Sequence, residues 1–212
     1  FQMLNADGTE RFDVTDRFMT NPTLRKNADG WAGSQPGLEY EVMEFYNSDF
    51  DMYQTLTDIP NGMYVVQVQG FYRTGGNDSG AAYQGGTENI TAQLYANDDW
   101  APLVSMYKYT ASEMGVTSDQ VLNDYVNMRV STQQAFNATN TALDMPYYAE
   151  NEVTVIVQDG TLKLGLRNTG HLDMSWCAFR DFKLYYYGNF PAVVLRLKLE
   201  EAEAWLTERA DI

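Results

Sequence analysis

The chain predicts an all-β fold, an antiparallel two-sheet sandwich with a short helical insertion and a C-terminal helix. Three observations carry this. Phe50–Leu56 and Met63–Arg73 are extended segments joined by Thr57-Asp58-Ile59-Pro60-Asn61-Gly62, where Pro60 fixes φ and Asn61-Gly62 reaches positive φ readily. Within the second segment Tyr64, Val66 and Val68 alternate with Gln67, Gln69 and Arg73, predicting one buried and one wet face. The same alternation returns at Val153, Val155, Val157 and at Leu162, Leu164, Leu166.

Taken in order, Phe12–Thr15 reads as a short strand, and Asn21–Trp31 as an opening loop with a buried Trp31. The words Asn5-Ala6-Asp7-Gly8 and Asn27-Ala28-Asp29-Gly30 are turn vocabulary rather than a repeat. Leu38–Tyr46 reads as one strand with Glu39 and Glu41 on one side. A glycine-rich loop follows Arg73, and no Gly-Lys-Ser/Thr accompanies it, so it is not a phosphate loop. Ile90–Ala96 alternates as a strand, and Asn97–Trp100 turns the chain into 101–107. Thr117 or Ser118 caps an expected helix through Val121, Leu122, Tyr125, Val126 and Arg129, with a further helical turn over Ser131–Phe136. Asp159-Gly160 is a two-residue hairpin signal. Trp176–Tyr187 is a long final strand ending at Gly188. Pro191 then opens an amphipathic helix carrying Val194, Leu195, Leu197, Leu199, Ala202, Trp205 and Leu206. The expected organisation is a sandwich over 10–188 followed by a helix, linker or start of a further helical element over 189–212.

Composition narrows the function. The 212 residues carry 29 acidic and 14 basic side chains, a net charge of −15. Such a surface repels phosphate backbones and anionic membranes, which points away from nucleic acid and towards a neutral or cationic partner. No stretch is long enough to span a bilayer. Cys177 is the single cysteine, so no intrachain disulfide forms, and its apolar strand predicts a buried, inert thiol. The chain begins at Phe1, which reads as a trimmed piece or a mature protein without its targeting segment. Tyr 15, Phe 10 and Trp 4 are many aromatics; most suit half-buried strand positions, and a few suit sugar stacking or protein binding.

Three words resemble a known family: Asn21-Pro22-x-Leu24…Gly30-Trp31, Tyr53-Gln54-Thr55-Leu56-x-x-Ile59-Pro60-x-Gly62-x-Tyr64, and Trp176-x-x-Phe179-x-Asp181-Phe182-x-Leu184-x-Tyr186. Together they resemble the galactose-binding-domain-like jelly roll, and more narrowly the carbohydrate-binding-module-like domains of secreted or surface-anchored bacterial glycan-handling proteins. The resemblance covers roughly residues 10 to 188. It implies a jelly-roll sandwich, export to the cell surface or beyond, no catalysis by this module, and neighbouring domains in a longer parent chain. Many relatives carry a structural calcium at the opening loop, closed by an aspartate of the last strand. Here the matching opening positions are Thr23 and Arg25, while Asp181 matches the aspartate. A guanidinium opposes a hard cation that wants about six to eight oxygens, so no cofactor is expected. Asp181, Asp98 and Asp99 are the weak metal candidates.

Catalysis has little support. Glu39, Glu41, Glu44 and Asp49 supply carboxylates in a chain rich in them, and His171, the single histidine, has no neighbouring nucleophile motif. A sugar site needs an aromatic platform and hydrogen-bonding side chains on sandwich loops. The candidates are Arg73, Asn77, Asp78 and Tyr83 around the glycine-rich loop, Trp100 at a hairpin turn, and His171 and Asp173 before the final strand. Trp31 and Trp176 belong to the core. The expected function is a non-catalytic carbohydrate-binding module for a neutral oligo- or polysaccharide; the alternative is a structural or interaction module that spaces other domains. Exposed, grouped aromatics near Arg73 or Trp100 favour the first, and burial of all the tryptophans favours the second.

Overall fold

The computed structural model describes residues 11–76, 79–116, 125–188 and Leu199. It is a two-sheet antiparallel jelly-roll sandwich. In chain order the strands are β1 (Phe12–Asp13), β2 (Ala32–Gly33), β3 (Gly37–Glu39), β4 (Val42–Tyr46), β5 (Asp51–Leu56), β6 (Gly62–Arg73), β7 (Ala92–Ala96), β8 (Asp99–Pro102), β9 (Thr139–Asn140), β10 (Met145–Pro146), β11 (Asn151–Val157), β12 (Leu162–Asn168) and β13 (Trp176–Gly188). Short helices are α1 (Thr15–Phe18), α2 (Ser79–Gln84) and α3 (Ala111–Met114), and α4 spans Tyr125–Asn137. The first sheet runs β11-β6-β13-β4-β3 with β1 on β13, and the second runs β2-β5-β12-β7-β8.

The chain repeatedly crosses between sheets. The Pro60 turn carries it from β5 in the second sheet to β6 in the first, and the Tyr64 and Tyr186 hydroxyls donate to the Pro60 and Asn61 carbonyls to hold that turn. Asp159-Gly160 is a second such crossing, from β11 to β12, and not the hairpin its sequence suggests. A hairpin turn does form at Asn97-Asp98, between β7 and β8. Between the sheets lie Val66, Val68, Leu94, Val155, Leu162, Leu164, Leu166, Phe179 and Leu184, every second residue of their strands except where the β13 bulge at Asp181 shifts the phase between Phe179 and Leu184. Trp31 packs against Phe182 with ring centroids 4.6 Å apart. Cys177 is fully buried, and burial pushes its thiol pKa up, which leaves it inert as expected.

The three sequence words meet in space. Phe182 and Asp181 donate their backbone N–H groups to the Pro22 and Thr23 carbonyls, and the Trp31 indole donates to the Asn21 carbonyl. Gln54 closes the arrangement by donating to the Thr20 carbonyl and accepting from the Thr20 N–H. A bulge between Arg180 and Phe182 puts Asp181 at positive φ (51°) and turns its carboxylate towards the opening loop.

Two expectations are corrected. Leu38–Tyr46 is not one strand but the hairpin β3–β4, because Tyr40 and Glu41 both adopt positive φ (50° and 61°), the signature of a type I′ turn without its usual Asn-Gly. Glu39 and Glu41 therefore do not share a strand face. The outer side of β6 is not wet: all twelve of its residues are buried. Residues from the 103–150 region roof it with a second apolar layer, in which Met106, Phe136 and Tyr148 meet Phe71, Trp176 and Ala178. The Gln69 amide donates to the Phe136 and Tyr147 carbonyls, which satisfies its buried nitrogen under that roof. The expected helical insertion is present as α3 and α4; its cap at Thr117 or Ser118, with Val121 and Leu122, lies outside the described residues. So does the C-terminal helix, apart from Leu199, which is helical.

Candidate functional site

The roof over β6 covers part of the first sheet's outer side, and the outer face of the second sheet carries the candidate aromatic Trp100. Antiparallel register sets a single row across it: Tyr53 on β5, Gly165 on β12, Tyr95 on β7 and Trp100 on β8. These positions face out because their neighbours Met52, Leu164, Leu166 and Leu94 face the core. Gly165 is required at the centre: a Cβ there would lie 2.0 Å from the Met52 carbonyl oxygen. Tyr95 reaches past this gap, and its hydroxyl donates to Asp51 Oδ1 at 2.6 Å. Burial first, and that carboxylate second, push the Tyr95 hydroxyl pKa up.

Two cations flank the row from β12. Lys163 Nζ lies 3.8 Å from the Tyr53 ring centre and 5.6 Å from that of Tyr95, and it faces Asp51 Oδ2 at 3.6 Å. The Arg167 guanidinium sits 4.6 Å from the Tyr95 ring centre, and its Nε donates to Gln93 Oε1 at 3.1 Å. Tyr95 is only 2% exposed, whereas Trp100, next to it on the edge strand, is 54% exposed. The face thus presents a bare indole beside a polar, hydrogen-bonding floor.

The sequence candidates fall in several places. Trp100 is on this face. Arg73 is a correction: it is 3% exposed, its guanidinium lies 5.5 Å from the Trp176 ring centre, and it donates to the Met174 carbonyl, so it serves the interior rather than the surface. Tyr83 is exposed on α2, with its ring 6.2 Å from that of Tyr107. His171 and Asp173 are exposed in the loop between β12 and β13, at the rim of the sandwich rather than on the sheet face. His171 pairs through Nδ1 with Asp49 Oδ1 at 3.0 Å and also donates its backbone N–H to that oxygen. Those two hydrogen bonds, the backbone one first, hold the Asp49 carboxyl below its usual range. Asn77 and Asp78 lie outside the described residues. Trp31 and Trp176 are buried, as read from the sequence, and Trp205 lies outside the described residues.

On the first sheet a cleft of about 750 Å³ opens beside the opening loop, lined among others by Arg25, Gln67, Gln69, Asp144 and Asp181. Its central pair is a two-pronged bridge, Arg25 Nε to Asp181 Oδ1 at 3.1 Å and Nη2 to Oδ2 at 2.6 Å. This fork holds the carboxylate that the resemblance places at a calcium site. Asp98 lies in the β7–β8 turn and Asp99 opens β8. Among the described residues no three of His, Cys, Asp and Glu gather to hold a metal.

The sequence reading missed Tyr53, Tyr95, Gln93, Lys163 and Arg167 as partners of Trp100. The signal was the alternation Lys163-x-Gly165-x-Arg167 opposite three core leucines, which marks an outward face; what it lacked was the register bringing Tyr53 and Tyr95 to either side of Gly165.

No family model matches this chain, and no curated protein matches it. Among solved structures, that of TmCBM61 in complex with beta-1,4-galactotriose aligns with 80% of this chain and 97% of its own, at a TM-score of 0.41 and 9% sequence identity. A likeness at that level assigns this chain neither a family nor a ligand, and the sandwich architecture stands on its own strand pairing.

Proposed function

We propose that the outer face of the second sheet binds a carbohydrate chain, with the Trp100 indole stacking on a sugar ring and the neighbouring side chains bonding its hydroxyls. The single observation that carries this is a tryptophan 54% exposed, at the end of a row that also holds Tyr53 and Tyr95. A bare indole is costly to leave in water, and an extended polymer suits an open sheet face. In this reading the module does no chemistry and belongs to a secreted or surface-anchored protein with further domains. The three sequence words support export and the parent chain. No described helix is long and apolar enough to cross a membrane. The test is a glycan array, spanning plant, host and microbial sugars, probed with the labelled protein. Binding to a defined set of glycans is expected, and clean negatives throughout would favour the spacer module instead.

A further inference from the structure

We propose that the carbohydrate bound on this face carries an anionic group, a carboxylate or a sulfate, and that Arg167 recognises it. The inference rests on the glycan-binding reading of the same face. The Arg167 guanidinium carbon lies 4.6 Å from the Tyr95 ring centre and its Nε donates to Gln93 Oε1, two contacts that orient the guanidinium and use neither of its terminal nitrogens. Its register partner is Asp51, yet both Asp51 oxygens are engaged elsewhere, Oδ1 by the Tyr95 hydroxyl and Oδ2 by Lys163. Among the described residues no carboxylate lies within ion-pair distance of Arg167. Arg11, Arg25 and Arg129, by contrast, each sit against a carboxylate, in a chain with 29 acidic side chains to choose from.

A planar, pre-oriented fork matches a carboxylate or sulfate with two parallel hydrogen bonds. The position suits a chain-like ligand. Arg167 stands two residues along β12 from Gly165, and Trp100 two strands across, a separation of roughly 12 Å at ~4.8 Å per strand and ~3.4 Å per residue. A sugar stacked on Trp100 therefore leaves its near neighbours in the chain over the fork. The net charge of −15 does not forbid this, because exposed charges more than about 8 Å away are largely screened at physiological ionic strength. The expectation of a neutral ligand followed from the charge of the whole chain, whereas recognition follows from the charge at the face.

The test is affinity electrophoresis in gels cast with matched polymers: polygalacturonate against its methyl ester, and a sulfated galactan against the unsulfated polymer. Wild type is expected to hold an acidic member at least tenfold more tightly than its neutral match. Arg167→Gln is expected to shrink that ratio below about threefold, and Arg167→Lys, which keeps the charge without the fork, to recover only part of it. Preference confined to the pectate pair identifies a carboxylate, and preference confined to the galactan pair identifies a sulfate. Equal binding of acidic and neutral members, lost in Trp100→Ala, would overturn the anionic inference and leave the glycan reading intact. A preference that persists in Arg167→Gln would overturn the role of Arg167. Absence of binding to either member of both pairs would overturn the anionic inference, and clean negatives across the whole glycan array would remove the reading beneath it.

Discussion

Replacing Trp100 with alanine separates a binding role from a structural one, and the structure supplies both magnitudes. A tryptophan carries roughly 250 Å² of surface, so at 54% exposure about 135 Å² faces solvent. A sugar ring covering about 100 Å² of that, at ~25 cal/mol per Å², gains ~2.5 kcal/mol, or about 70-fold in Kd. The buried remainder of about 115 Å² is shared with an edge strand, and alanine keeps some of it. The folding cost is therefore at most about 3 kcal/mol, a fall in Tm below about 12 °C for a domain of this size. Affinity electrophoresis with a glycan identified on the array measures the first quantity, and scanning calorimetry measures the second. Unchanged affinity together with a stability loss above about 4 kcal/mol would refute the reasoning and make Trp100 a packing residue.

Gly165→Ala places a methyl group 2.0 Å from the Met52 carbonyl oxygen and 2.8 Å from Tyr53 Cα, backbone atoms that cannot rotate away. Strands β5 and β12 must then separate, at a cost of about 3 kcal/mol or more in urea unfolding, and a wild-type midpoint would show that they do not approach so closely. A third prediction concerns pH. Glu113 closes a capping box on α3, accepting from the Thr110 hydroxyl at 2.6 Å and the Thr110 N–H at 2.7 Å, and these bonds hold its pKa below the ordinary 4.5. A depressed folded-state pKa means that this stabilisation is fully present above pH 4.5 and fades as the pH falls through the lowered value. Thermal midpoints between about pH 6 and about pH 3 should therefore fall less steeply in Glu113→Gln, and identical slopes would count against the box.

The two-layer fold was legible because its inner faces are written as alternation. Leu162, Leu164 and Leu166 announce a core face without any knowledge of their neighbours. The β3–β4 turn was not legible, since Tyr40-Glu41 carries none of the residues that reach positive φ cheaply; tertiary pairing imposes the conformation. Arg73 was misplaced for a different reason. Its spacing put it correctly on the outer side of β6, but nothing local says that a segment thirty or more residues later covers that side. At the candidate site, Trp100 was readable because a turn tryptophan is conspicuous alone. Tyr95 and Arg167 were not, because their meaning depends on which residues of β5, β7 and β12 end up abreast, and strand register is a long-range property.

The division of β12 into inward leucines and outward Lys163, Gly165 and Arg167 has an evolutionary corollary. In the proposed site, substitutions at the two charged positions, or at Gln93 and Thr55 beside them, fall on the outward side of their strands, away from the inward leucines of β12. The proposed recognition could then be altered at those positions one at a time, whereas Gly165 is constrained by the Met52 carbonyl whatever the face binds.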